Sequence, residues 1–454
     1  MARAKKETAL TPEERLQAAL VPDWEWPYKL PENWCWTRIG MVSNFERGIT
    51  FPAAAKEAAP TEDNIPCLRT ANVQENLEID DMIYVNRDFM KGNIAKLVRE
   101  NDIIMSSANS RELVGKSSLV THIPFPMTFG GFVLNIRAKE MSSKYLFYFL
   151  RHEFLAGKFI GESSQTTNIA NINTTTLGNY EIPLPPLPEQ QRIVDRIESL
   201  FTKLDEAKEK AQAVVDSFET RKAAILHKAF TGELTAKWRE EHGVSIDNWK
   251  TTRFDSVAAI RSNLVDPAEY QSFPHIAPDN IEKKTGVLLE YHTIAEDGVT
   301  SGKHRFYSGQ ILYSKIRPYL SKAVVVDFDG LCSADMYPIE AYQNARCLWY
   351  YMLSDEFLLQ ASTAGSRSVL PKINQKELSA LTVHLPTNDR EQEEIARILD
   401  ELFDKEQQTK EAAEVVLDQI DLMKKSILAR AFRGELGTND PSEESAVELL
   451  KQIF

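Results

Sequence analysis

Apolar residues return every three or four positions along two long stretches of this chain, and the two stretches are versions of one another. In the first, Ile193, Ile197, Leu200, Leu204, Ala207, Ala211, Val214, Phe218 and Ile225 fall on spacings of four and three. The second continues the pattern with Ile395, Leu399, Leu402, Ala413, Val416, Ile420, Met423 and Ile427, and places Glu406 and Thr409 on the same stripe. A seven-residue apolar period predicts a helical seam that supercoils left-handed. At 1.5 Å per residue each rod would run roughly 60 Å. An offset of 202 aligns Gln190 with Gln392, Phe201 with Phe403, Lys222 with Lys424 and Gly232-Glu233-Leu234 with Gly434-Glu435-Leu436. Two such seams in one chain are both buried if the rods pack antiparallel, although partner chains could also cover them.

Ahead of each rod the period changes. Asp102 to Met105, Phe132 to Ile136, Gln310 to Tyr313 and Ala323 to Val326 are short, β-rich runs that read as strands, while Lys144 to His152 and Arg346 to Leu359 carry apolar stripes at helical spacing. The two globules repeat as well: Asn33-Trp34 matches Asn248-Trp249, and an offset of 208 carries Asn72 to Asn280 and Asp102 to Ser106 onto Gln310 to Ser314. Thr11-Pro12-Glu13-Glu14 reads as a capped helix start, and Ile182 to Pro188 as a stiff extended lead into the first rod. The predicted fold class is α+β: two tandem mixed α/β globules separated by two long helices in an antiparallel coiled coil, with an internal pseudo-twofold repeat. The expected divisions are an N-terminal helical extension (1–30), the first globule (31–182), the proline segment and first rod (183–236), a linker (237–246), the second globule (247–386), the second rod (387–436) and an acidic tail (437–454).

Composition narrows the function. The chain has 454 residues, 43% of them hydrophobic, enough to bury more than one core. It has no apolar run long enough for a membrane span, so a cytoplasmic, membrane-free protein is expected. Cys35, Cys67, Cys332 and Cys347 lack paired spacing and read as reduced thiols. The net charge of -13 argues at first against a polyanionic partner. Yet residues 31–180 carry 15 Lys/Arg against 16 Asp/Glu and residues 247–388 carry 14 against 16, so each globule is nearly neutral and can still present a basic face. Catalytic signatures are missing. Gly115-Lys116-Ser117 ends like a P-loop, but Ser110 stands where its first glycine belongs, and the histidines show no metal-ligand spacing. No catalytic or metal residues are expected.

The duplicated organisation, together with Pro185-Pro186-Leu187-Pro188-Glu189-Gln190-Gln191-Arg192-Ile193-Val194 and Ser426-Ile427-Leu428-Ala429-Arg430-Ala431-Phe432-Arg433-Gly434-Glu435-Leu436, resembles the DNA-specificity subunits of type I restriction-modification systems. The resemblance implies two target recognition domains, each reading one half of a bipartite double-stranded DNA sequence, with the coiled coil setting the unread spacer. It also implies assembly with two adenine-N6 methyltransferase subunits and two ATP-driven restriction/translocase subunits. S-adenosylmethionine, ATP and Mg2+ would be used by those partners, and no cofactor is expected on this chain. A coiled-coil scaffold that never reads DNA, and a subunit of a methylation-only system, are the competing readings.

Direct readout needs paired donors and acceptors at base edges, Arg or Lys for guanine and Asn or Gln for adenine. In the first globule the candidates are Arg47, Arg69, Asn72, Ser106, Asn109, Ser110, Arg111, Lys116, Gln165 and Asn168. In the second they are Arg261, Asn263, Asn280, Ser314, Lys315, Arg317, Tyr319, Lys322, Ser366 and Arg367. Ordinary turns, caps and surface ion pairs use the same residue types. Different residues at matching positions suggest two different half-sites.

Overall fold

The computed structural model describes residues 11–162, 164–166, 169–364 and 371–453. The chain divides into two compact units, residues 1–209 with 416–454 and residues 210–415, each containing one globule and one end of both long helices.

In the first unit, helix Pro12–Ala19 starts as its sequence predicts: the Thr11 hydroxyl accepts from the Glu14 N–H and the Glu14 carboxylate accepts from the Thr11 N–H. The globule is closed on itself by antiparallel strands Cys35–Arg38 and Glu181–Leu184. Part of the proline-rich lead is therefore a strand, and Pro183 is tolerated there because the ladder has only two strands. A sheet in the order Ser43–Arg47, Val133–Ala138, Ile103–Ser106, Ser117–Leu119 forms the centre, antiparallel throughout. Ile103, Met105, Leu134 and Ile136 share one buried cluster with Tyr145, Leu146, Phe149 and Leu150 of helix Ser143–Leu155. A smaller sheet, Ile83–Asn86, Asn64–Leu68, Thr128–Phe129, adjoins it.

The second unit repeats this plan. Trp249–Arg253 pairs with Thr382–Pro386, and the central sheet runs Ala258–Ile260, Met336–Ala341, Ile311–Ser314, Ala323–Val325. The single helix predicted over Arg346 to Leu359 is two, Ala345–Met352 and Asp355–Ala364, because Ser354 turns the chain with its hydroxyl on the Tyr351 carbonyl.

The long helices are Leu187–Asp216, Phe218–Phe230 and Asp389–Phe432. At the interruption the Ser217 hydroxyl donates back to the Ala213 carbonyl, a bond that favours bending of a helix. Both rods end on a left-handed glycine, Gly232 at φ 80° and Gly434 at φ 73°, which explains the repeated Gly-Glu-Leu. The repeated Glu-Gln has a cause too. The Gln190 side chain accepts from the Ser142 N–H at 2.8 Å and donates to the Pro185 carbonyl, and Gln392 does the same with Asn344 and Pro386.

Within each unit the helices run antiparallel. Asp205 meets Lys424 and Lys208 meets Asp421 in the first; Phe218 meets Lys410 and Arg221 meets Glu406 in the second. The first seam lies where the spacing predicts, with Ile193, Ile197, Ala211 and Phe218 buried and Leu200, Leu204, Val214 and Ile225 half-buried. The second needs correction. Ile395, Leu399, Ala413 and Ile420 are buried and Leu402, Glu406 and Ile427 half-buried, but Val416, Met423 and Thr409 are exposed. The seam passes instead through Phe403, Lys410, Leu417 and Lys424, one residue further on.

Each rod carries a lysine on its seam, set against an aromatic ring of the other. Lys424 places its ammonium 5.2 Å from the Phe201 ring and Lys222 places its own 5.6 Å from the Phe403 ring, a pair of contacts related by the repeat. Long aliphatic stems let lysine cover an apolar seam while the charge finds a ring or carbonyl; Lys222 donates to the Lys284 carbonyl at 2.7 Å. Burial lowers the Lys222 pKa to about 8, partly opposed by Glu219 and Glu282. The unfolded chain takes up this proton first as pH falls from about 10.4, so folding is penalised progressively down to about pH 8 and by a constant amount below. The stability difference between Lys222→Met and the native chain is therefore expected to change by about 2 to 3 kcal/mol between pH 10.5 and pH 7.5 in denaturant titrations, in favour of the methionine variant at the lower pH. A difference independent of pH would remove the buried-charge account.

No helix among the described residues is long and apolar enough to cross a membrane. The four cysteines are buried and unpaired.

Candidate nucleic-acid interface

Strand register in the first unit brings separate loops to one end of the central sheet. Arg47 lies opposite Leu134, Ser106 opposite Val133 and Met105 opposite Ser117, so the segments after Arg47 and Ser106 and those before Val133 and Ser117 all leave the same edge. The adjoining sheet adds another: Asn64–Leu68 runs parallel to Thr128–Phe129 and delivers Arg69 beside Gly130, whose N–H donates to the Leu68 carbonyl at 2.9 Å. Strand Ala108–Asn109 then pairs with Ile169–Asn171, which pairs with Ser164–Thr166, placing Gln165 one strand further out.

Arg47, Ser110 and Arg111 are exposed at this end, and Asn109 is half-buried with its side chain donating to the Ser106 hydroxyl at 3.0 Å. Arg69 is held by Asp81 at 3.2 Å. Three expected readers have other work. Asn72 is 2% exposed; its carbonyl accepts from the Arg69 N–H at 2.7 Å and its amide donates to the carbonyls of Glu78 and Asp81. Ser106 is buried, and Lys116 donates to the Gln74 side chain. These groups shape the loops.

The second unit has the same geometry with other residues. Tyr313 lies opposite Ala323, Ser314 opposite Met336, and the Arg261 N–H donates to the Pro338 carbonyl, so the turns after Ile260 and Ser314 meet those before Ala323 and Met336. Asn263 is exposed, and Arg261 is exposed and paired with Glu340 at 2.7 Å. Arg317 is exposed in a left-handed conformation, φ 48°, with its N–H on the Pro371 carbonyl at 2.7 Å, and Tyr319 beside it is 47% exposed. A non-glycine residue held there is strained, and such strain clusters at binding sites. Lys315 sits 5.5 Å from the Tyr337 ring and 3.8 Å from Asp335, which Lys372 also approaches at 3.3 Å. Burial, with the Lys315 charge added, depresses the pKa of the adjacent His304 and favours its neutral form.

The structural substitutes recur here. Asn280 accepts from the Ala277 N–H at 2.8 Å and donates to the Glu290 carbonyl, Ser314 is buried, and Lys322 donates to the Pro278 carbonyl at 2.7 Å. Asn72 with Asn280, Ser106 with Ser314 and Lys116 with Lys322 thus hold equivalent turns in the two globules, which accounts for their similarity across the repeat. Asn168, Ser366 and Arg367 lie outside the described residues. The sequence pattern does not mark two further residues, Phe132 at the edge of the first unit and Lys372 at the edge of the second. The sequence pattern predicts a strand from Phe132, but the strand is Val133–Ala138 and Phe132 is 64% exposed at the turn before it. Among the described residues no group of three or more His, Cys, Asp or Glu could hold a metal ion.

Known proteins resemble this arrangement. A family model described as the type I restriction modification DNA specificity domain matches residues 31–215 and 246–416. The EcoDI specificity subunit of Escherichia coli is 37% identical over 342 residues, covering 69% of this chain and 76% of that protein. The EcoKI specificity subunit of Escherichia coli K12 is 26% identical over 464 residues, covering 94% and 96%. Two solved structures share the fold at 18% identity. The HsdS subunit from Thermoanaerobacter tengcongensis has a TM-score of 0.59 over 91% of this chain and 100% of its own. A chain solved in a study of complex assembly and conformational transition of the type I R-M system has a TM-score of 0.67 over 90% and 100%.

Proposed function

The chain belongs to the type I restriction-modification DNA specificity family, and from that premise we propose that its two globules, residues 31–182 and 247–386, each read one half of a bipartite duplex target across a spacer set by the paired helices. It is a specificity subunit with a DNA-recognition role; the chemistry of the complex belongs to its partners. In the proposed assembly two methyltransferase subunits transfer a methyl group from S-adenosylmethionine to adenine N6, and two translocase subunits spend ATP with Mg2+ to restrict unmodified DNA. The cytoplasm is the proposed location.

The observation that carries the reading is the convergence, in both units, of exposed cationic and polar side chains at one end of the central sheet on equivalent turns. Arg47, Ser110 and Arg111 stand there in the first, and Asn263, Arg317 and Tyr319 in the second. Equivalent turns with different exposed residues are what two different half-sites require. The near-neutral balance of each globule puts more of the affinity on directed contacts than on the salt-dependent, sequence-independent attraction to phosphate.

The test is base-resolution mapping of N6-methyladenine in cells carrying this chain and its methyltransferase partner, against cells lacking only this chain. A bipartite motif that disappears with the chain is the expected result, and an unchanged pattern from an assembled complex would favour a scaffold that does not read DNA. On the mapped target, Arg317→Ala is expected to weaken binding by about 1 to 3 kcal/mol and to blur base preference in one half-site only. Equal loss of preference in both halves would remove Arg317 from the readers.

A further inference from the structure

The first reading edge carries an aromatic residue that the fold does not bury. Phe132 is 64% exposed, yet its backbone is fixed. Its carbonyl accepts from the N–H groups of Ser107 at 3.0 Å and Ala108 at 3.3 Å, the start of the loop that carries Asn109, Ser110 and Arg111. The turn that presents it is closed by the Val133 N–H on the Gly130 carbonyl at 2.8 Å. Gly48 makes room for it: a Cβ there would lie 2.0 Å from the Gly130 oxygen, a backbone atom that cannot move aside cheaply. A cleft of about 510 Å³ opens beside the ring, lined by Thr50, Lys56, Arg69 and Thr70 among others.

A large apolar side chain held rigidly outward, among groups suited to phosphates and base edges, has a specific use in a duplex groove. The major groove offers one apolar feature, the 5-methyl group of thymine, and phenylalanine is among the side chains that meet it. Asp335 occupies the matching place before strand Met336–Ala341 in the second unit and pairs with Lys315 and Lys372, so this position differs between the two globules. We propose that Phe132 is a specificity-determining residue of the first recognition domain that packs against a thymine methyl group in the half-site this domain reads. This rests on the DNA-reading function proposed above.

The experiment uses the complex of the full chain with its methyltransferase partners and duplexes carrying the mapped target. Thymines in each half-site are replaced one at a time by deoxyuridine, which removes only the methyl group. The native complex should bind about fourfold more weakly when one thymine of the first domain's half-site is replaced, the worth of one buried methyl-sized group. Phe132→Ala should no longer distinguish thymine from uracil at that position while keeping its base preferences in the other half, and Phe132→Leu should keep part of the distinction. Native protein that distinguishes the two bases nowhere in that half, or Phe132→Ala that still does so, overturns the assignment. Indifference of the native complex to every base-pair change in that half would overturn DNA reading by the first domain, and this inference with it.

Discussion

Replacing Glu391 with alanine is expected to destabilise the second unit by about 3 to 5 kcal/mol, enough to unfold a marginally stable domain. The carboxylate is fully buried at the start of the second rod. One oxygen accepts from the Arg239 guanidinium at 2.7 Å, the Trp249 indole at 2.9 Å and the Thr235 hydroxyl at 2.9 Å, and the other from the Asn248 amide at 3.0 Å. These donors come from the segment after the first rod and from the turn and first strand that open the globule, so one carboxylate fastens both to the second rod. Arg239 is only 9% exposed, and alanine at 391 would leave its charge buried without a counter-ion, the costly way to break such a pair. Glu391→Gln keeps the shape and loses the charge, so it should fall between the two.

The same site sets a pH dependence. Burial alone would raise the Glu391 pKa, but the bonds from Asn248, Arg239, Trp249 and Thr235 outweigh it and hold the group below the ordinary glutamate value. A folded-state pKa below the unfolded one means that this stability is complete above the unfolded value of about 4.3 and is lost as pH falls through the folded value. Denaturant titrations should show the native chain losing stability below about pH 4.3 more steeply than Glu391→Gln. Parallel curves, or an alanine variant as stable as the native chain at pH 7, would mean that the carboxylate is not the fastening point.

The first rod and the general course of the second were legible because a seven-residue apolar period has few alternatives in a long polar-faced segment. The phase of the second seam was not. Its middle is built from Glu406, Lys410 and Lys424, which count as polar in any hydrophobic pattern, while the apolar Val416 and Met423 face solvent. Arg221, 2.7 Å from Glu406, and the ring of Phe201 under Lys424 are what make those polar residues seam residues, and neither partner is near in sequence. The cluster of turns at the proposed DNA-facing edge was legible as a set of loops but not residue by residue. Asn72 and Asn109 offer the same amide by residue type; both bond locally, Asn109 to the Ser110 N–H and the Ser106 hydroxyl, but Asn109 is half-buried whereas Asn72 is buried with its oxygen and both amide hydrogens engaged inside the turn. Phe132 escaped because an aromatic residue beside Val133, Leu134 and Ile136 continues a strand by composition, and only its 64% exposure separates it from the core.

Removing residues 208–214 and 413–419 together should abolish methylation at the natural spacing and move the preferred spacer to about three base pairs fewer. Seven residues leave each seam in phase, since the period of both is seven, so the helices can pair again as Asp205 pairs with Lys424 and Arg221 with Glu406 in the native protein. The deletion shortens each helix by roughly 10 Å, close to three base-pair steps of about 3.4 Å. Two domains that must engage one duplex together gain affinity from being linked, on the order of 10² to 10⁴-fold, and that gain disappears when the geometry forbids both contacts at once. Loss at the old spacing should therefore be at least about a hundredfold, measured as methylation of duplexes whose spacer is varied one base pair at a time. Deleting only one of the two segments should do worse, because the opposing seams then differ in length by a heptad and the two ends cannot both stay in register. A double deletion that still prefers the natural spacer would show that the separation is set elsewhere, whereas folded protein with a new, shorter optimum would identify the helix pair as the element that measures it.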